Sequence, residues 1–479
     1  MSGLEPRRKA RNASDDGIGQ GRLRRSAPLV GLTARAAGDA AVAGLRGRLS
    51  GSDMAEFHAR TAERYAELLG RSKGALMKAG QMLSFASVAP AVPADLQSVY
   101  QSALMRLRSD APPMAPEVAR AVLERELGDT AESAFVEFDW DPLAAASIGQ
   151  VHAARLHDGR AVAVKVQYPG VADAIVADLK NTELLATFVS LLIGGLSSRK
   201  LSFDLRGAAR DMGVRIAEEL DYRLEAANQA EFAEHYRGHP FIHVPEVIGE
   251  LCTGRVLTQE LVRGLSWSDA LLAEQELRDQ WAEAIWRFTY GTYRHLQMLN
   301  ADPHPGNYVF HENGSVSFLD YGCVKRFSRE QLEMFDAIIR ECRRGDALGT
   351  WRACVEAGFW RSSDPVTPEE ALAYWREDWE MLWAQQRFVV TPEKVAKRVE
   401  RRCSRSGPSA NALRHLRMPP EYTIMGRIEL AVEAVIAQLR ASVSWGTVSA
   451  EHLENAAPVT EMGKRSRAFF EERQAAGLA

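Results

Sequence analysis

At 479 residues the chain is long enough for two or three lobes with a sizeable core, and with 46% hydrophobic and 25% charged residues it reads as globular and soluble. A formal net charge of −4 argues against general nucleic-acid binding. The five cysteines, at 252, 323, 342, 354 and 403, form no C-x-x-C pair and suggest a reducing compartment.

Residues 1–50 carry ten Arg or Lys against four Asp or Glu, so they are +6 while the rest of the chain is −10. Little apolar mass accompanies that charge. A basic disordered arm is expected here, either solvated or touching an anionic membrane surface. From 51 to 134 a helical extension is expected, with Tyr65, Leu69, Leu76, Ala79 and Leu83 near one face. It carries Lys78-Ala79-Gly80-Gln81, whose small residues allow close backbone approach while Lys78 and Gln81 project together, although both could equally be solvated. Pro116 to Leu127 predicts a short helix after a Pro-rich linker, and Phe135 to Phe138 a strand.

An N-lobe is expected over 135–262. Ala144-Ala145-Ala146-Ser147-Ile148-Gly149-Gln150-Val151-His152 keeps the frame of a kinase nucleotide loop, G-x-G-x-x-G-x-V, with alanine at its first two glycine positions. Alanine disfavours positive φ, so a stiffer loop is expected, or simply a small-residue turn. The run Ala161 to Gln167 predicts a strand with Lys165 inside it. A lysine among buried apolar neighbours is costly unless paired. Helical sequence follows from Ala172 to about Leu196 and from Leu205 through Asn228, the latter placing Glu218, Asp221 and Glu225 on one side, where like charges repel unless a lysine or metal offsets them. The longest apolar run, Leu184 to Leu196, spans thirteen residues, too short to cross a bilayer. A further strand from Gly254 to Val262 ends where an interlobe hinge would lie.

From 263 to 445 the pattern is helical, with Trp281 to Leu299 leading into Asn300-Ala301-Asp302-Pro303-His304-Pro305-Gly306-Asn307 and then Asp320-Tyr321-Gly322. An Asp and an Asn five apart, followed thirteen residues on by an Asp before x-Gly, is a phosphoryl-transfer spacing: the first Asp orients the hydroxyl, and the Asn and second Asp hold Mg²⁺. Asp-Pro and Pro-Gly are also ordinary turn chemistry. Trp375, Trp379 and Trp383 recur at helical spacing, which predicts core packing or a lipid or quinone contact. Residues 446–479 read as a charged tail.

These motifs in this order resemble the UbiB (AarF/ADCK) family of atypical kinases. The resemblance covers about residues 74–326 and implies an α+β, bilobal protein-kinase-like fold with the helical N-terminal extension packed over the active site. By position, Lys165 is implied to contact phosphate with Glu225 as its helix partner, and Asp302 to be the catalytic-loop acid. Asn307 and Asp320 are implied as the metal ligands. Ala144, Ala145, Ala146, Ser147, Ile148, Gly149 and Val151 would line the nucleotide, with Glu260 and Val262 reaching adenine through their backbone. Lys78 and Gln81 would cover the site, Lys78 pairing with Glu219 and Asp221. The implied cofactors are ATP or ADP with Mg²⁺. The implied role is a lipid-responsive kinase or ATPase supporting isoprenoid quinone (ubiquinone-type) biosynthesis, cytoplasmic and peripheral at a membrane through the basic arm; a pseudokinase scaffold is the alternative. An isoprenoid or quinone-like lipid and a second copy of the chain are the further partners considered. Tyr321 stands where Phe is commoner, and Asn300 where His or Gln is usual.

Overall fold

The computed structural model describes residues 113–146, 148–179, 220–403, 407 and 409–477. The basic arm, the Lys78–Gln81 motif, Ser147, the apolar run from Leu184 and Glu219 lie outside them.

The N-lobe is an antiparallel sheet of β1 (Phe135–Phe138), β3 (Gly149–Leu156), β4 (Ala161–Gln167) and β6 (Val256–Glu260) in that spatial order, with β2 (Ala144–Ala145) added to β3. Successive side chains of a strand face opposite ways. On one face of β4, Val162, Val164 and Val166 are fully buried with Val122 and Leu123 of α1 (Pro116–Leu127). Helix α1 starts with proline in its first turn and stops at Gly128, whose φ of 76° suits glycine. The short α2 (Ala131–Ala134) leads into β1, and α3 (Val171–Leu179) follows β4.

The other face of β4 meets α4 (Tyr222–His235). Asp221 does not continue a helix from Glu218, as the sequence suggests; it sits in extended backbone as the N-cap, its side chain accepting from the Arg223 N–H at 3.0 Å. An aspartate satisfies an orphan amide there better than it serves a helix interior. Asp221 and Glu225 are therefore a cap and a first-turn acid, not two charges on one helical face.

The second lobe is built round α6 (Gln275–Gly291), where Trp281, Ala284, Ile285 and Trp286 are 0–1% exposed. The α5 helix (Trp267–Leu272) precedes it. The sequence suggests helix to Leu299, but α6 ends at Gly291, passes through a wide turn over Thr292–Leu296, and turns at Gln297 (φ 57°) into β7 (Met298–Asn300). What ends the helix is pairing: β7 runs antiparallel to β10 (Val324–Arg326). Beside them β5 (Ile242–His243), β9 (Val316–Phe318) and β8 (Tyr308–Phe310) form a three-stranded sheet.

Helices α7 (Arg329–Arg344), α8 (Ala347–Glu356), α9 (Pro368–Asp378), α10 (Glu380–Trp383), α11 (Pro392–Cys403), α12 (Ala410–His415) and α13 (Pro420–Gln438) complete the lobe, with a small ribbon of β11 (Phe388–Val389) and β12 (Ser442–Val443). Trp375, Trp379 and Trp383 belong to two helices that break at Trp379, whose indole stacks on Trp375 at 4.2 Å. Trp375 and Trp379 lie in the core. The stretch expected as a charged tail is instead α14 (Trp445–Leu453) and α15 (Glu461–Ala475), docked on α6. No helix among the described residues is long and apolar enough to cross a membrane.

Candidate nucleotide site

Each side chain at the site is delivered by a local rule. Lys165 is paired in register with Val151 on one side and Leu257 on the other, and strand alternation turns it away from the valine core toward α4. Its Nζ donates to Glu225 Oε1 at 2.7 Å and lies 3.8 Å from Asp320 Oδ2, with the Tyr222 ring centre 5.3 Å away. The Lys165 side chain is 17% exposed and that of Glu225 4%. Burial alone would drive the ammonium pKa down, but the carboxylates of Glu225 and then Asp320 more than offset it, and the lysine stays charged above its ordinary range.

Below, the loop from Asn300 to Asn307 closes on itself. The Asn307 Nδ2 amide donates to the Asp302 carbonyl at 3.0 Å and to Asp302 Oδ2 at 3.3 Å. That leaves Asn307 Oδ1 as an acceptor making no hydrogen bond among the described residues. His304 Nδ1 accepts from the Gly306 N–H at 2.8 Å, so its ring proton resides on Nε2. The Leu319 N–H donates to the Asn307 carbonyl at 2.9 Å, tying the two loops together, and Asp320 Oδ1 accepts from the Gly322 N–H at 3.0 Å.

Above, β2 pairs Ala144 with Val151 and Ala145 with Gln150, and the Ala146 N–H donates to the Gly149 carbonyl at 2.9 Å. Ala144 and Ala145 are exposed, Ile148 is buried, and none of the three described alanines has positive φ. The loop frame is thus a strand hairpin that alanine tolerates. Gly149 is required for a different reason: a Cβ there would stand 2.3 Å from the Val166 carbonyl oxygen. Past the end of β6, the Leu261 N–H donates to the Ala161 carbonyl at 3.1 Å. Glu260 directs its carboxylate to His243 Nε2 at 3.1 Å, which lowers its pKa.

The structure therefore brings Lys165, Glu225, Asp302, Asn307 and Asp320 together, with Ala144, Ala145, Gly149 and Val151 on the strands above and Ala146 and Ile148 in the turn between them. Two supporting residues, Asn228 and Gln167, escape sequence reasoning, and the bridging role of Asn300 is not foreseen there. Asn228, one turn beyond Glu225, donates to the Tyr321 carbonyl at 3.1 Å and accepts from Arg326. Gln167 donates to the Leu220 carbonyl at 3.1 Å, orienting the start of α4. Asn300 bridges both loops. The sequence signal for Asn228 and Gln167 was a buried helix or strand position occupied by an amide.

A profile of the ABC1 atypical kinase-like domain matches residues 106–351, and the probable serine/threonine-protein kinase abkA of Dictyostelium discoideum is 30% identical over 426 residues, 85% of this chain and 73% of that protein. The chain belongs to the ABC1 (UbiB) family of atypical kinases. Mitochondrial atypical kinase COQ8B of Rattus norvegicus is 34% identical over 287 residues, 60% of this chain and 52% of that protein. The chain spans about half the length of the first curated relatives it matches. Among solved structures, the Rv3197–erythromycin complex from Mycobacterium tuberculosis aligns with a TM-score of 0.60 at 30% identity, covering 83% of this chain and 97% of that one. These matches agree with the kinase-like α+β fold.

Proposed function

We propose that this ABC1-family chain binds Mg-ATP or Mg-ADP between its two lobes and transfers or releases the terminal phosphoryl group, in support of isoprenoid quinone or other lipid metabolism at a membrane surface. The observation that carries the reading is the charged Lys165 held 2.7 Å from Glu225 and 3.8 Å from Asp320, with one hydrogen bond made and donors to spare. That is the arrangement a phosphate oxygen can complete.

The oxygens of Asn307 and Asp320 are of the kind a hard divalent cation takes. Asn307 presents Oδ1 because its Nδ2 is committed to Asp302, and the Asp320 carboxylate is 30% exposed. Magnesium is commonly held by one or two such protein oxygens together with phosphates and water. When bound, it would neutralise charge on the phosphates. Asp302, anchored by Asn307, would accept or orient the proton of the attacking hydroxyl or water. The alanine hairpin and Gly149 would cover the phosphates, and the backbone of Glu260 and Val262 would meet adenine. Lys78, Gln81, Glu219 and Asp221 are proposed to regulate access, and the basic arm to supply peripheral membrane contact.

The test is phosphate release from Mg-ATP by the purified chain, with and without anionic liposomes, against Asp320→Asn. Turnover in the native chain that disappears in the variant is the expected result. Equal silence of both proteins while nucleotide still binds would replace this reading with that of a nucleotide-binding scaffold.

A further inference from the structure

Asn300 occupies the seam between the loop carrying Asp302 and the loop carrying Asp320, and its amide is used at both ends. Its Nδ2 donates to the Asp320 carbonyl at 2.6 Å, while its Oδ1 accepts from the Asp302 N–H at 3.0 Å. The backbone around it is laced from two further directions. The Ala301 N–H donates to the Cys323 carbonyl at 2.8 Å, and Arg427, reaching across from α13, donates to the Ala301 carbonyl at 2.9 Å. Asn300 is also paired with Val324 across the β7–β10 ribbon. The strand fixes the backbone; the amide alone spans from one acidic residue's N–H to the other's carbonyl.

We propose that Asn300 is a positioning residue that sets the spacing of Asp302 and Asp320, and through it the fit of the divalent cation; the inference rests on the nucleotide reading above. An amide can donate and accept at once. A carboxylate of the same shape can only accept, so Asn300→Asp would keep the bond from the Asp302 N–H and set an acceptor against the Asp320 carbonyl. A methyl group makes neither bond. A neutral imidazole again offers one donor and one acceptor. The three substitutions therefore separate the bridge from mere occupancy of the space.

The experiment titrates Mg²⁺ into the full chain with a fluorescent ADP analogue, alongside binding of the analogue in EDTA and thermal melting. Asn300→Ala and Asn300→Asp are expected to raise the half-saturating Mg²⁺ concentration by about tenfold or more, the usual cost of losing a group that orients metal ligands. Metal-free nucleotide affinity should stay at the native value, and Asn300→His should recover most of the loss. If Asn300→Ala fails to fold, the isosteric Asn300→Asp decides. Native Mg²⁺ dependence in a folded Asn300→Asp or Asn300→Ala would overturn the proposal while leaving the nucleotide reading intact. Absence of Mg²⁺-dependent nucleotide binding in the native chain would instead bring down the reading beneath it, and this inference with it.

Discussion

Lys165 and Arg287 are both buried cations held by carboxylates, yet they are finished differently. Arg287, 2% exposed in the last third of α6, donates from Nε to Glu283 at 2.8 Å, from Nη1 and Nη2 to Glu451 at 2.7 and 3.1 Å, and from Nη2 to Thr460 at 3.0 Å. Thr460 in turn donates to Glu283 and accepts the Gly463 N–H at 3.0 Å, so the start of α15 is locked into the same network. Lys165 makes one hydrogen bond, and its second carboxylate stands at 3.8 Å, beyond hydrogen-bond reach. A closed network holds the fold; an open one has places left for a ligand's oxygens.

The largest expected effect follows from breaking the closed network. Arg287→Ala leaves Glu283 and Glu451, whose side chains are 8% and 6% exposed, without a counter-charge, and urea denaturation should show a loss of about 3–5 kcal/mol. Glu225→Gln removes one charge from the open site but leaves an amide oxygen to accept from Lys165, with Asp320 still beside it, so it should cost about 1.5–3 kcal/mol. Phosphate release should fall roughly 100-fold or more, because the lysine is no longer held for the phosphates. Equal stability losses in the two variants would erase the distinction.

Between the two networks lies a histidine cluster that makes the comparison depend on pH. His235 at the end of α4 packs against Phe470 of α15 and against His295, and His239 bonds Ser466 of α15 at 3.1 Å. Burial first, then neighbouring His295 and Arg473, lowers His235 to about 4; burial, then His235, Arg287 and Arg465, lowers His239 to about 3. His452, buried near Arg287, His295, Arg294 and Arg467, is lowered well below its ordinary value. Because these groups bind protons more weakly folded than unfolded, the unfolded chain takes up more protons as pH falls below about 6.5. Stability should be full above that value and decline by several kcal/mol, on the order of 3 or more, toward pH 4. Urea titrations at pH 7 and pH 5 check it, and His239→Gln should flatten the slope. Identical curves at the two pH values in the native chain would contradict the assignment.

A smaller loss tests how tightly the lock is fitted. A Cβ on Gly463 would lie 2.5 Å from Arg287 Nη2 and 2.7 Å from Glu451 Oε2. Gly463→Ala should therefore cost about 1–3 kcal/mol, read by the same denaturation, with nucleotide binding unchanged.

The open site was far more legible in the sequence than the closed one. Lys165 announces itself as a charge inside a β-branched strand, and Asp302, Asn307 and Asp320 by a spacing that chemistry requires. The α1 bounds, Pro116 to Leu127, were legible in the sequence. Arg287 gave only half a signal, an acid four residues earlier on an apolar helix, because Glu451 lies 164 residues away. The helices at the C-terminus looked like a charged tail for that reason: their charges are neutralised by partners no local pattern names. The break at Trp379 and the cap at Asp221 were missed because periodicity continues through a residue whose backbone has already left the helix.

The smallest expected effect concerns Tyr321, where the open site touches the core. Its ring is fully buried, 4.9 Å from that of Phe232 on α4, and its hydroxyl makes no hydrogen bond among the described residues. Burial raises the phenol's pKa well above its ordinary value, so the group stays neutral at any working pH. A buried hydroxyl without a protein partner has given up its hydration and gained little. Tyr321→Phe keeps the ring and removes that cost. Thermal and urea unfolding should show stability equal to the native chain or higher by up to about 1 kcal/mol, with phosphate release retained, because Asp320 is held through the Asn300 and Gly322 bonds and not through this side chain. A loss of more than about 1 kcal/mol would mean that the hydroxyl has a partner. A stable variant with lost turnover would mean that the ring's hydroxyl, and not the Asn300 bridge, sets where Asp320 stands.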